Sequence, residues 1–431
     1  MADEKFDAII VGAGMAGNAA AYRLAKEGLQ VVVIERGPYP GSKNLSGGVL
    51  YGRVLHQLIP EYWKEAPVER FITNEVVTFL TGDASFNIDF KTQDFGKPPF
   101  NGFTVLRGKF DRWFAEKAEA AGAMLVPGIR VDKVLIEGGR VVGIAAGDEE
   151  IWADVVIAAD GANSFLAQEA GLRERIPASQ MALGVKELIG LPRQVIEDRF
   201  HLTGNEGAAH SIVGCVSGGV TGGGFLYTNL DSLSIGLVMN LDELVQNQLQ
   251  PPEILEEFMG HPLIAPLVKD GTLLEYGAHL VVEGGIEMMP RLYMDGMLVA
   301  GDAAGFSINN GFVVRGMDLA IGSGIAAAET VIEAKSKNDF SAQGLSAYPQ
   351  KLEASYVMAD MHTYAQASGF LKNRRLYKAY PEMITKLMRQ IYRQDAQPKK
   401  HLMQELLKSL KDSRISLFDL VKDGYKGGRT L

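Results

Sequence analysis

Three glycines and one acid near the start of the chain are spaced for chemistry. Gly12, Gly14 and Gly17 spell G-x-G-x-x-G, and Glu35 follows them. The pattern suits the pyrophosphate of a dinucleotide. Gly12 permits a tight strand-to-helix turn, Gly14 lets the backbone approach the phosphates, and Gly17 lets the helix lie close to the sheet. The helix N-terminus then offers free N–H groups and the positive end of its dipole. Glu35 is placed to accept hydrogen bonds from the adenosine ribose. Ala13 and Ala16 in the same turn, and Arg36 beside the acid, are further candidate contacts. The pattern does not say which dinucleotide binds.

Holding these residues takes a βαβ unit of about 30 residues. Residues 8–11 are a short apolar run, read as a buried parallel strand. Ala21, Leu24 and Ala25 continue at helical spacing, Gly28 ends the helix, and residues 31–34 form a second strand closing on Glu35. The next loop, 37–48, is rich in glycine and includes Ser46 and Gly47. It either wraps a cofactor or serves as an ordinary connector. Residues 49–70 are expected to be helical, and residues 76–90 alternate as strands do.

Arg107 stands where a strand over 103–107 meets an amphipathic helix over 108–121. A guanidinium there pairs with phosphate or forms a surface salt bridge. Phe110, Trp113 and Phe114 share a helix face and read as core. Short strands are expected over 123–143, around Gly138-Gly139, and an apolar strand from 153 ends at Asp160-Gly161. Residues 178–285 change character, with strands over 182–189, 232–240 and 278–282 and one or two helices over 253–268. Six glycines fall in 214–224 and read as turns. A buried strand over 297–300 ends at Gly301-Asp302, and small apolar residues from Met317 to about Lys335 read as a closely packed helix. The remainder has helical periodicity with many Lys and Arg.

The chain has 431 residues, so two or three domains are expected. A net charge of −9 gives no support for nucleic-acid binding. Cys215 is the single cysteine, which excludes a disulfide framework and any Cys-ligated metal or iron–sulfur site within this chain. No metal site is assigned. The charged start enters a strand directly, so no signal peptide is expected. No apolar run reaches the roughly 18 residues that a membrane span needs, which leaves peripheral membrane contact open.

The fingerprint, the strand end Ala159-Asp160-Gly161 and the stretch Ala300-Gly301-Asp302-Ala303-Ala304-Gly305 occur in an order that resembles the FAD-binding fold of the p-hydroxybenzoate hydroxylase type. The resemblance implies FAD rather than NAD. It implies that Asp302 hydrogen-bonds the ribityl chain or pyrophosphate, that Arg107 approaches the phosphates, and that the Val131 backbone lies near the adenine. It also implies an α/β fold: a Rossmann-type FAD-binding domain with an inserted, mostly antiparallel β/α second domain and a helical C-terminal region. The expected division is 1–177 and 286–345 for the FAD-binding domain, 178–285 for the insert and 346–431 for the helices, with strands from about 76–100 joining the insert.

A closer resemblance rests on Lys43-Asn44-Leu45-Ser46-Gly47-Gly48, Leu106-Arg107, Gly223-Gly224-Phe225-Leu226-Tyr227, Asn309-Asn310-Gly311-Phe312 and Arg315-Gly316-Met317-Asp318. These look like FixC proteins, bacterial relatives of electron-transfer-flavoprotein:quinone oxidoreductase. The resemblance implies an FAD-dependent oxidoreductase. It would take electrons from a FixA/FixB-type electron-transfer flavoprotein, by way of a ferredoxin-like FixX-type subunit that carries the iron–sulfur cluster. It would pass them to a membrane quinone. The expected location is cytoplasmic, peripheral on the inner face of the cytoplasmic membrane. The alternative is a geranylgeranyl reductase-like or hydroxylase-like flavin enzyme acting on a lipid or aromatic substrate.

Flavin chemistry needs position and electrostatics rather than a side-chain triad, and no catalytic residue is named. Gly316 opens the small-residue helix, whose dipole would favour negative charge on a reduced flavin, with Gly311 and Met317 as neighbouring contacts. His201, His210, His261 and His279 read as ordinary surface or core residues, or one of them serves the protons that quinone reduction needs, with none singled out. The segments 214–227 and 286–290 are candidates for the quinone site, or are internal packing. The basic stretch from Lys372 to Lys400 is a candidate for anionic lipid or an acidic ferredoxin, or is a solvated helix face.

Overall fold

Val11, Ile34, Ala158 and Val299 come from distant parts of the chain and end four parallel strands side by side. The computed structural model describes residues 5–44, 47–413 and 415–431. In its first sheet Val11 is in register with Ile34 on one side and Ala158 on the other, and Ala158 with Val299. Met124–Pro127 extends the sheet beyond Val31–Glu35, and Tyr293–Met294 closes its other edge. The strands are nearly continuous apolar runs because both faces are covered. The helices Met15–Lys26 and Met317–Lys337 pack on each other along small residues. A Cβ on Gly324 would stand 2.2 Å from the Ala16 carbonyl oxygen, so the close approach needs glycine there.

The second sheet draws on both halves of the chain. Its order is Thr272–Val282, Met181–Gly190, Ser232–Asn240, Gly222–Thr228, Glu206–Gly214, Val68–Thr81, Phe103–Val105 and Gly48–Leu50, with Ala84–Lys91 also on Val68–Thr81. Glu206–Gly214 pairs in parallel with Val68–Thr81, whereas the neighbouring pairs are antiparallel. Successive side chains of a strand point to opposite faces, so Leu233, Ile235, Leu237 and Met239 of Ser232–Asn240 share one face. Leu226, Leu233, Ile235, Leu237 and Met239 point to a core formed with the helices Arg193–Phe200 and Pro251–Gly260. The opposite face looks toward the first sheet.

Arg70 fastens the seam between the two contributions. Its side chain is fully buried. Nε donates to Asn229 O at 2.6 Å, Nη1 to Gly204 O at 2.9 Å and Glu206 O at 3.0 Å, and Nη2 to Leu230 O at 3.3 Å.

Two local expectations change. Residues 49–70 hold only the short helix Arg53–Leu58 and the 3-10 turn Tyr62–Lys64, between a strand at Gly48–Leu50 and another beginning at Val68. Pro60 and Pro67 stop helix propagation on either side of that turn. The glycines of 214–224 are only partly turns, because Gly222, Gly223 and Gly224 lie within a strand. A Cβ on Gly222 would fall 2.3 Å from Val238 O and one on Gly224 2.9 Å from the Phe258 ring. From Ala342 onward the chain is helical, ending in Leu402–Asp412 and Leu417–Thr430. The final helix is tied back by the buried Asp423, which accepts from Arg375, Tyr380 and Asn373. Among the described residues no helix is long and apolar enough to cross a membrane.

Candidate functional site

A cavity of about 560 Å³ lies between the carboxyl ends of the first sheet and the open face of the second. Such a strand-end crevice is where open α/β sheets bind ligands. Gly12 has φ +102°, and a Cβ there would meet Ala159 O at 2.3 Å. Gly17 serves packing instead, since its Cβ would stand 1.9 Å from Gly12 O. Glu35 is held at its strand end by two backbone N–H groups, Ala13 at 3.0 Å and Gly37 at 2.6 Å. Asn18, which the spacing argument passed over, ties Ala13 O to the carbonyl of Asp111 at 2.9 and 3.2 Å.

The first helix begins at Gly14, and no side chain caps it among the described residues. Its first N–H groups therefore face the cavity, which Gly14, Met15 and Ala16 line. Arg107 stands next to them. Its Nε and Nη2 grip Asp111 Oδ1 and Oδ2 at 2.7 and 2.8 Å, and Asn44 adds a third contact to that carboxylate at 2.8 Å. Burial works against the Arg107 charge, but Asp111 outweighs it and holds the guanidinium pKa above its ordinary value. Arg107 is thus fixed by a buried carboxylate and still borders the cavity.

Opposite, Gly301 N donates to Ser323 Oγ at 2.9 Å and sets the turn that presents Asp302. Burial raises the Asp302 pKa, while Arg107 and His279 oppose the rise. Asp160 Oδ2 accepts from Leu166 N at 3.1 Å. Its Oδ1 is buried without a partner among the described residues, and burial pushes its pKa up to about 6. The long helix starts at Gly316, also without a side-chain cap among those residues. Arg315 braces this start from behind, giving Nε and Nη2 to Asp318 at 2.8 and 2.6 Å and Nη1 to Asp360 at 2.5 Å.

Gly12, Gly14, Ala16, Glu35, Arg36, Gly47, Arg107, Val131, Asp160, Gly161, Gly301, Asp302, Gly311, Gly316 and Met317 all line this one cavity. Ala13 and Gly17 do not; they shape the turn beneath it. Ser46 lies outside the described residues. Of the histidines, His279 lines the cavity, whereas His210 stands half-buried elsewhere, with its pKa pushed down to about 4 by desolvation. Both candidate quinone segments contribute to the wall, through Thr221–Phe225 and Tyr227 from one and Ile286 from the other. Lys186 was not singled out from sequence. It is buried, with Nζ 3.2 Å from Gly47 O, and burial lowers its pKa to about 7. A lysine at a buried position of a mostly apolar strand was the available signal.

The comparisons with known proteins agree with this geometry. Residues 7–73 match the family model described as FAD dependent oxidoreductase, 181–281 that of ETF-QO, ubiquinone-binding, and 367–431 the ETF-QO/FixC family C-terminal domain. The chain is 47% identical over 434 residues to the probable electron transfer flavoprotein-quinone oxidoreductase YdiS of Escherichia coli, covering 100% of both. It is 48% identical to protein FixC of Salmonella typhi and 41% to protein FixC of Azotobacter vinelandii, each covering 99% of both chains. Among solved structures it resembles a geranylgeranyl bacteriochlorophyll reductase-like protein of Thermoplasma acidophilum, with TM-score 0.73 at 22% identity over 98% of this chain and 99% of that one. At that identity the likeness speaks for the fold alone: an FAD-binding flavoprotein architecture with mixed sheets and a helical C-terminal region. With full-length relatives at this level, the chain belongs to the FixC/electron transfer flavoprotein-quinone oxidoreductase family of FAD-dependent oxidoreductases.

Proposed function

We propose that this chain is the FAD-containing subunit of an electron-transfer complex. It accepts electrons from a FixA/FixB-type electron-transfer flavoprotein through a FixX-type ferredoxin-like subunit, and it reduces a membrane quinone. One observation carries the reading. The segment matching the ubiquinone-binding family model supplies one wall of a cavity whose other wall is the dinucleotide-type strand ends.

The residues present fit FAD. The uncapped N-terminus of Met15–Lys26 offers amides to a pyrophosphate, and Arg107 adds a fixed positive charge beside it. Glu35 suits the ribose and the Val131 backbone the adenine, with Asp302 toward the ribityl chain and Gly316–Met317 toward the pyrimidine. When bound, FAD supplies the acceptor and donor of an electron pair; the protein contributes placement, charge and exclusion of water. The expected division into 1–177 with 286–345, 178–285 and 346–431 stays part of this proposal. Here the strands Val68–Thr81 and Ala84–Lys91 join the second sheet.

The membrane surface is assigned to the last two helices. Leu402, Met403 and Leu407, then Leu417, Phe418, Val421 and Tyr425, are exposed apolar residues, with Lys400, Lys408, Lys411 and Lys422 exposed among them. An amphipathic, lysine-edged face of this kind suits anionic lipid. Arg375 and Arg389, in the basic stretch singled out from sequence, are already paired with Asp423 and Asp83. The proposed location is cytoplasmic, peripheral on the inner face of the cytoplasmic membrane, and this lysine-edged face supports the membrane contact. The test is copurification with the two flavoprotein subunits and the ferredoxin, followed by anaerobic reoxidation of the reduced flavin by a short-chain ubiquinone. Flavin that oxygen reoxidises and quinone does not would refute the reading.

A further inference from the structure

Reducing a quinone takes protons as well as electrons, and the cavity walls differ in how they could supply them. Of the carboxylates lining the cavity, Glu35, Asp132, Asp160 and Asp302 lie along the carboxyl-end side of the first sheet. On the wall built by the second sheet, Glu283 is the lining carboxylate among the described residues. It sits just past the end of Thr272–Val282, between that sheet and the C-terminal region. Its N–H donates to Gln180 O at 2.9 Å, and its carbonyl accepts from Ser368 Oγ at 2.9 Å. The backbone is therefore pinned from both sides, which fixes where the carboxyl group can reach.

The groups around that carboxyl form a line to the surface. Asn240 lines the cavity beside it, and Asn240 Oδ1 accepts from Glu243 N at 3.1 Å. Glu243 is held by Thr221, through N to Oε2 at 2.8 Å and Oγ1 to Oε1 at 2.8 Å. Its outer side meets Arg374 at 3.8 Å, a side chain 78% exposed. Lys372 and Tyr377, from the C-terminal segment, also face the carboxyl and line the cavity. Desolvation dominates this balance and raises the Glu283 pKa to about 7; Lys372 and Asn240 oppose the rise and Glu243 reinforces it. A carboxyl group in this state both holds and releases a proton at neutral pH, as an efficient general acid must. Glu75 is raised to a similar value but does not line the cavity.

We propose that Glu283 is the general acid that protonates the quinone, recharged from solvent past Glu243 and Arg374. This rests on the proposed function. In the step Glu283 would give one proton to a quinone carbonyl oxygen; FAD, if bound in its reduced anionic form, would supply the two electrons and the other proton, so that the balance closes on quinol, oxidised cofactor and the Glu283 carboxylate. The carboxylate would then be reprotonated from solvent.

The test compares wild type, Glu283→Gln and Glu283→Asp, all flavin-loaded and reduced anaerobically. Flavin absorbance is followed after mixing with a short-chain ubiquinone or with ferricenium, which takes an electron without a proton. Glu283→Gln should slow reoxidation by the quinone about 100-fold and leave the ferricenium reaction unchanged. Glu283→Asp should recover part of the loss with a shifted pH profile. In the flavin-free protein, one infrared band of a protonated carboxyl that titrates near neutral pH should be missing from Glu283→Gln. Equal slowing with both acceptors, or quinone reoxidation at the wild-type rate, overturns the inference alone. A wild type that quinone cannot reoxidise overturns the proposed function and this inference with it.

Discussion

Arg107 and Asp111 offer a perturbation whose two consequences separate. Replacing Arg107 by Met removes both hydrogen bonds of a pair in which Asp111 is fully buried and Arg107 is 19% exposed. Breaking a buried pair by deleting one member costs about 3–5 kcal/mol, because the remaining charge loses its partner. Asn44 still donates to Asp111 at 2.8 Å, and Arg107 is partly solvated, so we expect about 2–3 kcal/mol for Arg107→Met. The double substitution Arg107→Met with Asp111→Asn removes the stranded charge and should regain most of that loss. Flavin binding should behave otherwise. A charged hydrogen bond to phosphate is worth about 1.5–3 kcal/mol, or roughly 10- to 100-fold in Kd. Both variants should bind FAD that much more weakly. Urea denaturation of flavin-free protein reads the first effect, and fluorescence titration with FAD reads the second. A double variant no more stable than the single one would refute the buried-charge reasoning. A double variant that binds FAD like the wild type would refute the phosphate role.

Arg70→Leu strips the donor from four backbone carbonyls, two of them in buried bonds, so at up to about 1 kcal/mol each the loss should reach about 2–4 kcal/mol in urea melts; a change below about 1 kcal/mol would contradict the seam. Gly17→Ala forces a Cβ to 1.9 Å from Gly12 O, and the purified protein should carry no flavin absorbance; full flavin content would show that the turn can relax. Lys186 has a folded pKa lowered to about 7 from 10.5, so between those values the unfolded chain binds the extra proton and wild-type stability should rise with pH. Lys186→Met should flatten that rise in urea midpoints measured across the window, and an unchanged slope would remove lysine as its source.

The fingerprint residues were legible because each answers a local demand. Gly12, Gly17 and Glu35 are fixed by a turn, a packing distance and a strand end, all within one βαβ unit. Asp160 and Gly301 were legible because each ends an apolar run. Asn18 and Lys186 were not, because partners that set their roles are remote in sequence: Asp111 O for Asn18 and Gly47 O for Lys186. Arg70 was hidden more deeply, since 49–70 read as helix and its acceptors lie beyond residue 203. The strand at Gly222–Thr228 was masked by its glycines, which are there to let Val238 and Phe258 approach. The proposed function rests less on pattern than on family likeness, because no short motif in the chain points to a quinone.

Val68–Thr81 has Ala84–Lys91 and Phe103–Val105 along one edge and Glu206–Gly214 along the other. During synthesis the first edge closes almost at once. The second stays open while the whole intervening chain, including the Glu149–Ala158 strand of the other sheet, leaves the ribosome. A long strand with exposed amides and carbonyls is a template for another chain. Nascent copies on one message are thus most adhesive midway through translation, and a chain truncated before Glu206 should aggregate rather than fold.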